Sequence, residues 1–176
     1  MENENKNTAN GRYKVELWLY DLSKGVSRAI SELVLFKHFE GIWHSSIVVY
    51  GKEHYIAGDI VVDEPGRSQY GKAKNKIVLG YTDIPEVVFH QFIAQIVDEH
   101  TDQIYDLFKN NCNHFSDKCS LFLLEKNIPS YVIDLPSDIM KTPTGKVIGH
   151  LVKNVRPEEI TKGAKKIKKF FNKLKL

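Results

Sequence analysis

The stretch Asn110-Asn111-Cys112-Asn113-His114-Phe115-Ser116 decides how this chain is read. A short amide side chain at Asn110 or Asn111 can accept the free N–H groups of a helical first turn. That predicts a helix from Cys112 to about Lys126. Phe115, Cys119, Phe122 and Leu123 follow at three- and four-residue steps, forming one apolar stripe that a helix would bury. Cys112 heads that stripe. A thiol there feels the positive end of the helix dipole, which favours thiolate, the nucleophilic form. The same position suits a cysteine that merely packs as a small hydrophobe. The choice between the two depends on a base elsewhere in the chain.

The chain of 176 residues is long enough for one domain with a real core, and 42% hydrophobic with 27% charged residues is ordinary for a globular protein. No apolar run approaches the roughly 18 residues of a membrane span. The polar, acidic start Met1-Glu2-Asn3-Glu4-Asn5 does not read as an export signal, so a reduced, cytoplasmic protein is expected, with the nucleus as a second location. Cys112 and Cys119, about 10 Å apart along one helix by its rise per residue, are too distant to pair. The seven lysines between Lys162 and Lys175 exceed the overall net charge of +3, so the rest of the chain is net acidic.

Residues 1–12 are polar and expected to be disordered. Tyr13–Tyr20 alternates and then turns wholly apolar, predicting a strand that enters the core. Ser27–Lys37 reads as a short helix. Gly41–Tyr50 reads as a strand, Gly51-Lys52 as a hairpin turn, and Glu53–Ile56 as the partner strand. Asp59–Val62 and Lys76–Tyr81 give further strands, and residues 59–76 also hold the breakers Pro65, Gly66 and Gly71. Thr82 or Asp83 could cap a helix carrying Val88, Phe89, Phe92, Ile96 and Val97. After the cysteine helix, Ser137 could cap a short helix through Met140, and residues 146–153 give a last one. The order implies an α+β fold, an antiparallel sheet packed with helices.

A cysteine nucleophile needs a group that takes its proton and later gives one to the leaving group. Imidazole does both. Of seven histidines, His38 lies in a polar turn, His90 and His100 lie near a helix end, His114 points away from Cys112, and His150 is distant. His54 is a second choice. His44, entering a strand after Trp43 among residues expected to be buried, is the best placed. Without further information a lone histidine in a core strand is more often structural.

Tyr20-Asp21-Leu22-Ser23-Lys24-Gly25, Glu40-Gly41-Ile42-Trp43-His44-Ser45-Ser46-Ile47-Val48-Val49, Asn111-Cys112-Asn113-His114-Phe115-Ser116, Ile128-Pro129-Ser130-Tyr131 and Asp134-Leu135-Pro136-Ser137 together resemble the PPPDE family, and its desumoylating isopeptidases most. The resemblance implies a permuted papain-like cysteine peptidase fold over residues 13–153. It implies a thiol-protease dyad of Cys112 and His44 that cleaves a ubiquitin-like modifier, SUMO or ubiquitin, from lysine. It also implies a homodimer. No metal is expected, since Cys112, His114 and Cys119 do not share one helical face, and no cofactor, since no glycine-rich phosphate loop follows a strand. Oxyanion support would come from Asn110 or Asn111, and Trp43 and Asn113 would line the substrate groove. Protein S-acyl (palmitoyl) thioester hydrolysis by the same dyad is the enzymatic alternative, and a non-catalytic modifier-binding module is the other.

Residues 154–176 fall outside the resemblance. Ile160, Ala164, Ile167, Phe170, Phe171 and Leu174 recur every three or four residues with lysines between them, the pattern of a basic amphipathic helix. Residues 160–176 are expected to contact a membrane or another acidic surface, with nucleic acid the less favoured partner.

Overall fold

Tyr13–Tyr20 turns from alternating to wholly apolar because the strand it forms is covered on both faces. That strand, β2 (Arg12–Asp21), is the hub of a six-stranded antiparallel sheet. It pairs with β1 (Thr8–Ala9), β3 (Trp43–Val49) and β6 (Asn75–Thr82); β4 (Lys52–Ala57) and β5 (Asp59–Asp63) extend the sheet beyond β3. The structure is a computed structural model that describes residues 8–9, 11–22, 42–101 and 103–141, with Lys146, Glu159 and Lys162. The helices expected at 27–37 and 146–153, His38, His150 and nearly all of the lysine-rich tail lie outside the described residues.

The β3–β4 hairpin turns one residue earlier than expected. Val49 pairs with Lys52, so Tyr50 and Gly51 make the turn, with φ of 51° and 70°. A two-residue turn with both centres left-handed matches the twist of the strands. Gly51 adopts this without steric cost. Tyr50 is held there by its hydroxyl, which donates to the Ile84 carbonyl at 2.6 Å, and by an edge-on contact with Tyr13.

The helices share one face of the sheet. α1 (Glu86–Ile96) follows Pro85, which occupies the cap position in place of Thr82 or Asp83; the Thr82 hydroxyl accepts the Ile84 N–H instead. A 3-10 turn, Val97–His100, leads into the loop before α2 (Cys112–Leu124), and α3 (Ser130–Ile133) and α4 (Leu135–Met140) follow. α2 stops two residues short of Lys126, where Glu125 turns left-handed and its N–H closes on the Leu121 carbonyl. Ser137 lies inside α4 and donates to the Asp134 carbonyl, so it does not cap that helix.

Strand alternation sorts the interior into two layers. Val15, Leu17, Leu19, Trp43, Ile47, Val49 and Ile56 face the helices, where Phe89, Phe115, Cys119, Leu123 and Val132 meet them. Trp18, Tyr20, Val48 and Tyr55 face the other way and are covered by Tyr70 from the β5–β6 loop. Among the described residues, no helix is long and apolar enough to cross a membrane.

Candidate active site

The cysteine helix begins where the sequence places it, and the cap is Asn111. Its backbone is extended, and its side-chain oxygen accepts the N–H groups of Asn113 at 2.8 Å and His114 at 3.2 Å. The His114 ring reaches back to the Asn111 N–H, completing a reciprocal capping box. His114 is thereby spent on the cap. Asn110 is tied down separately: both its side-chain N–H groups go to carbonyls, Glu99 at 2.7 Å and Ile104 at 3.2 Å. The Asn111 amide donates to the Leu107 carbonyl at 2.6 Å. The turn before the cysteine is therefore rigid.

Cys112 is 3% exposed and packs in the helix-side core with Trp43. Its sulfur lies 3.7 Å from Oδ1 of Asn113. Asn113, also buried, reaches across to β3 and to α3. Oδ1 accepts the Ser45 hydroxyl at 2.8 Å, while Nδ2 donates to the carbonyls of Trp43 at 3.1 Å and Val132 at 3.2 Å. Ser45 also lies 2.9 Å from the Ser116 hydroxyl, so α2 is laced to β3 by side chains as well as packed on it. The described contacts of Trp43 and Asn113, the two residues expected in the substrate groove, are internal to the protein. Lys74 closes over the Trp43 ring.

His44 is fully buried one residue beyond Trp43, and its ring belongs to the opposite layer. It stacks on Tyr70 with centroids 3.8 Å apart and planes 34° apart, with Tyr20 and Tyr55 at 6.0 and 5.9 Å. Neither ring nitrogen has a hydrogen-bond partner, so no hydrogen bond joins it to Cys112 in this arrangement. Burial alone pushes its pKa down to about 3, so the ring is neutral at physiological pH. His54 faces the helices, edge-on to Phe89, and burial holds it at about 4. His100 packs edge-on against Phe115, one helical turn after Cys112, and is likewise held near 4 by burial.

Next to His44 lies a network that the sequence analysis did not single out. Glu53, fully buried, accepts the Tyr20 hydroxyl at 2.5 Å and the Ser46 hydroxyl at 2.7 Å on one oxygen, and the Gly66 N–H at 2.8 Å on the other. One signal was available. Glu53 is the one acid in the partner strand Lys52–Ala57, and a buried carboxylate must be satisfied by donors.

A helix-capped cysteine laid against an antiparallel sheet, with a neutral imidazole one residue beyond the tryptophan it packs on, defines a cysteine-type hydrolase with an α+β papain-like fold. Comparison with known proteins takes the assignment one level further. Residues 13–153 match the PPPDE putative peptidase domain, and the chain belongs to this family. It is 36% identical over 151 residues to Desumoylating isopeptidase 1 of Xenopus laevis, covering 85% of this chain and 89% of that protein. It is 37% identical over 146 residues to Desumoylating isopeptidase 1 of Homo sapiens, covering 82% and 87%. A DeSI-like protein of Arabidopsis thaliana is 26% identical over 98 residues, covering 52% of this chain and 44% of that protein.

Proposed function

We propose that this chain removes SUMO from lysine side chains, with Cys112 as nucleophile and His44 as general base and acid. The observation that carries the reading is near-full-length similarity to two desumoylating isopeptidases, in a chain whose cysteine heads a capped helix.

His44 accepts the Cys112 proton. The thiolate attacks the carbonyl carbon of the modifier's C-terminal residue and gives a tetrahedral oxyanion. The oxyanion collapses with cleavage of the C–N bond, and protonated His44 delivers its proton to the departing lysine amine. Water, deprotonated by His44, then attacks the thioester, releasing the modifier's carboxylate and restoring the thiol. A pKa near 3 makes the buried, neutral His44 a weak base, so it takes the Cys112 proton only once its ring is no longer dry. The ring must first leave the Tyr70 stack, so the loop that carries Tyr70 controls access to the base. The Cys112 N–H at the start of α2 is the oxyanion donor, with the second side-chain N–H of Asn111 beside it.

The test is hydrolysis of a SUMO–lysine isopeptide by wild type, Cys112→Ala and His44→Ala. Cys112→Ala is expected to abolish turnover, and His44→Ala to lower kcat by about 10²–10⁴-fold. Turnover surviving in Cys112→Ala rejects the nucleophile. Ubiquitin–lysine and S-acyl-cysteine substrates run in parallel, and faster cleavage of either reassigns the substrate. We further propose that the protein is a homodimer, checked by light scattering. The lysine-rich tail brings it to anionic membranes, and liposome flotation equal to that of a chain ending at Arg156 would reject this.

A further inference from the structure

The reaction above needs something to hold thiol and imidazole in register, and the sequence nominates no third group for that task. Asn113 has the required connections. A carboxamide offers two N–H donors and an oxygen with two lone pairs. In Asn113 all four are engaged: Nδ2 by the Trp43 and Val132 carbonyls, Oδ1 by the Ser45 hydroxyl and the Cys112 thiol. Two carbonyls on one end leave no ambiguity about which end is oxygen. The Trp43 carbonyl belongs to the peptide bond whose nitrogen is that of His44. One planar amide, 3% exposed, therefore runs from the sulfur of Cys112 to the main chain of His44. Its other donor fixes α3, within the Ile128–Tyr131 stretch and its continuation, against the same point.

We propose that Asn113 is the positioning residue of this enzyme. It sets the separation of Cys112 from the His44 backbone and aims the resting thiol proton at its own Oδ1, from which His44 takes it. This deepens the assignment of Cys112 and His44 and rests on it. A purely structural Asn113 would only fasten α2 to the sheet. Its loss would then lower stability while leaving the chemistry of the surviving folded protein unchanged.

The experiment is the rate of Cys112 alkylation by iodoacetamide from pH 4 to 9, with steady-state kinetics on the SUMO–lysine isopeptide, in wild type, His44→Ala and Asn113→Ala. All are run well below each variant's Tm. Wild type is expected to show an inflection well below the free-thiol value of about 8.5, lost in His44→Ala. Asn113→Ala is expected to lose it as well, although His44 is present, and to lower kcat about 10- to 100-fold with KM changed less than about twofold, as a misplaced reacting group does. An Asn113→Ala protein with the wild-type inflection and kcat overturns the positioning role and leaves the dyad standing. A wild-type profile with only the free-thiol inflection, unmoved by His44→Ala, overturns both. If Asn113→Ala does not fold, Ser45→Ala decides. It removes one of the two donors to Oδ1, so a kcat two- to fivefold lower with KM unchanged is expected, and wild-type kcat and inflection overturn the proposal.

Discussion

The two faces of the sheet are built by opposite rules. Toward the helices, Leu17, Leu19, Ile47 and Val49 meet Phe115, Cys119 and Leu123, an apolar layer whose stability comes from area removed from water. On the other side, Tyr20, Tyr55 and Tyr70 enclose a carboxylate at Glu53 and an imidazole at His44, both fully buried and neither paired with an opposite charge. The first layer tolerates no lost volume, and the second tolerates no lost hydrogen bond. A protein gains nothing in stability from the second arrangement, which costs desolvation. Its presence around His44 sets that face apart from the helix side, where Cys112 lies.

The comparison breaks if volume and polarity matter equally on both faces. Phe115→Ala is expected to destabilise by about 3–5 kcal/mol, because a fully buried ring in a layer closed by α2 and the sheet leaves a cavity. Glu53→Ala is expected to cost at least about 3 kcal/mol, for a different reason: it strands the Tyr20 and Ser46 hydroxyls and the Gly66 N–H without an acceptor. Phe115→Leu should recover most of the first loss, and no apolar residue at 53 should recover the second. Urea unfolding of the four proteins tests this; a stable Glu53→Leu would contradict the account of the polar layer.

Acid sharpens the comparison next, because both layers bury neutral histidines, His44 on one side and His54 and His100 on the other. His44 is held at about 3, and His54 and His100 at about 4, by burial, against an ordinary value near 6.5. Unfolding releases all three to take up protons. The stability they contribute is therefore complete above about pH 6.5 and is lost as pH falls toward 4. The loss should approach about 4 kcal/mol per pH unit, roughly 1.4 from each ring. His54→Phe, beside Phe89, should remove about a third of that slope and leave the helix-side layer intact. An unchanged slope would mean that His54 is already solvated in the folded protein.

A smaller effect should follow from uncovering the polar layer. Tyr70→Ala removes the ring stacked on His44 and admits water to its nitrogens. The His44 pKa should rise from about 3 toward 6.5, followed by NMR titration of its ring protons, while fold stability changes little beyond the lost stacking area. If the value does not move, Tyr20 and Tyr55 suffice to dry the site and Tyr70 is no lid.

How much of this was legible follows from the range of each interaction. β2 and the cysteine helix announce themselves through local periodicity and an asparagine cap. The family motifs carry Cys112 and His44 together with the α+β papain-like fold. What stayed hidden depends on partners far apart in sequence. The capture of Glu53 by Tyr20, and of the Trp43 carbonyl by Asn113, is invisible to spacing. The local misreadings have local causes. Tyr50, not Lys52, shares the turn with Gly51, because a tyrosine anchored by Ile84 and Tyr13 can bear a left-handed backbone. Pro85 displaces the expected cap because Thr82 is still in β6.

The smallest predicted effect separates two positions on one helix. Cys119 lies two turns after Cys112 in the same apolar stripe and is fully buried. Burial pushes its thiol far above the ordinary range, and it is distant from the positive end of α2, so it behaves as a hydrophobe. Cys119→Ala should cost about 1 kcal/mol for the volume lost. It should leave both the total alkylation at neutral pH and the isopeptidase rate unchanged. Iodoacetamide labelling followed by mass spectrometry distinguishes the sites directly. Label on Cys119 in the folded protein would show that the helix-side layer opens, and the contrast between the packed body of α2 and its reactive first turn would then fail.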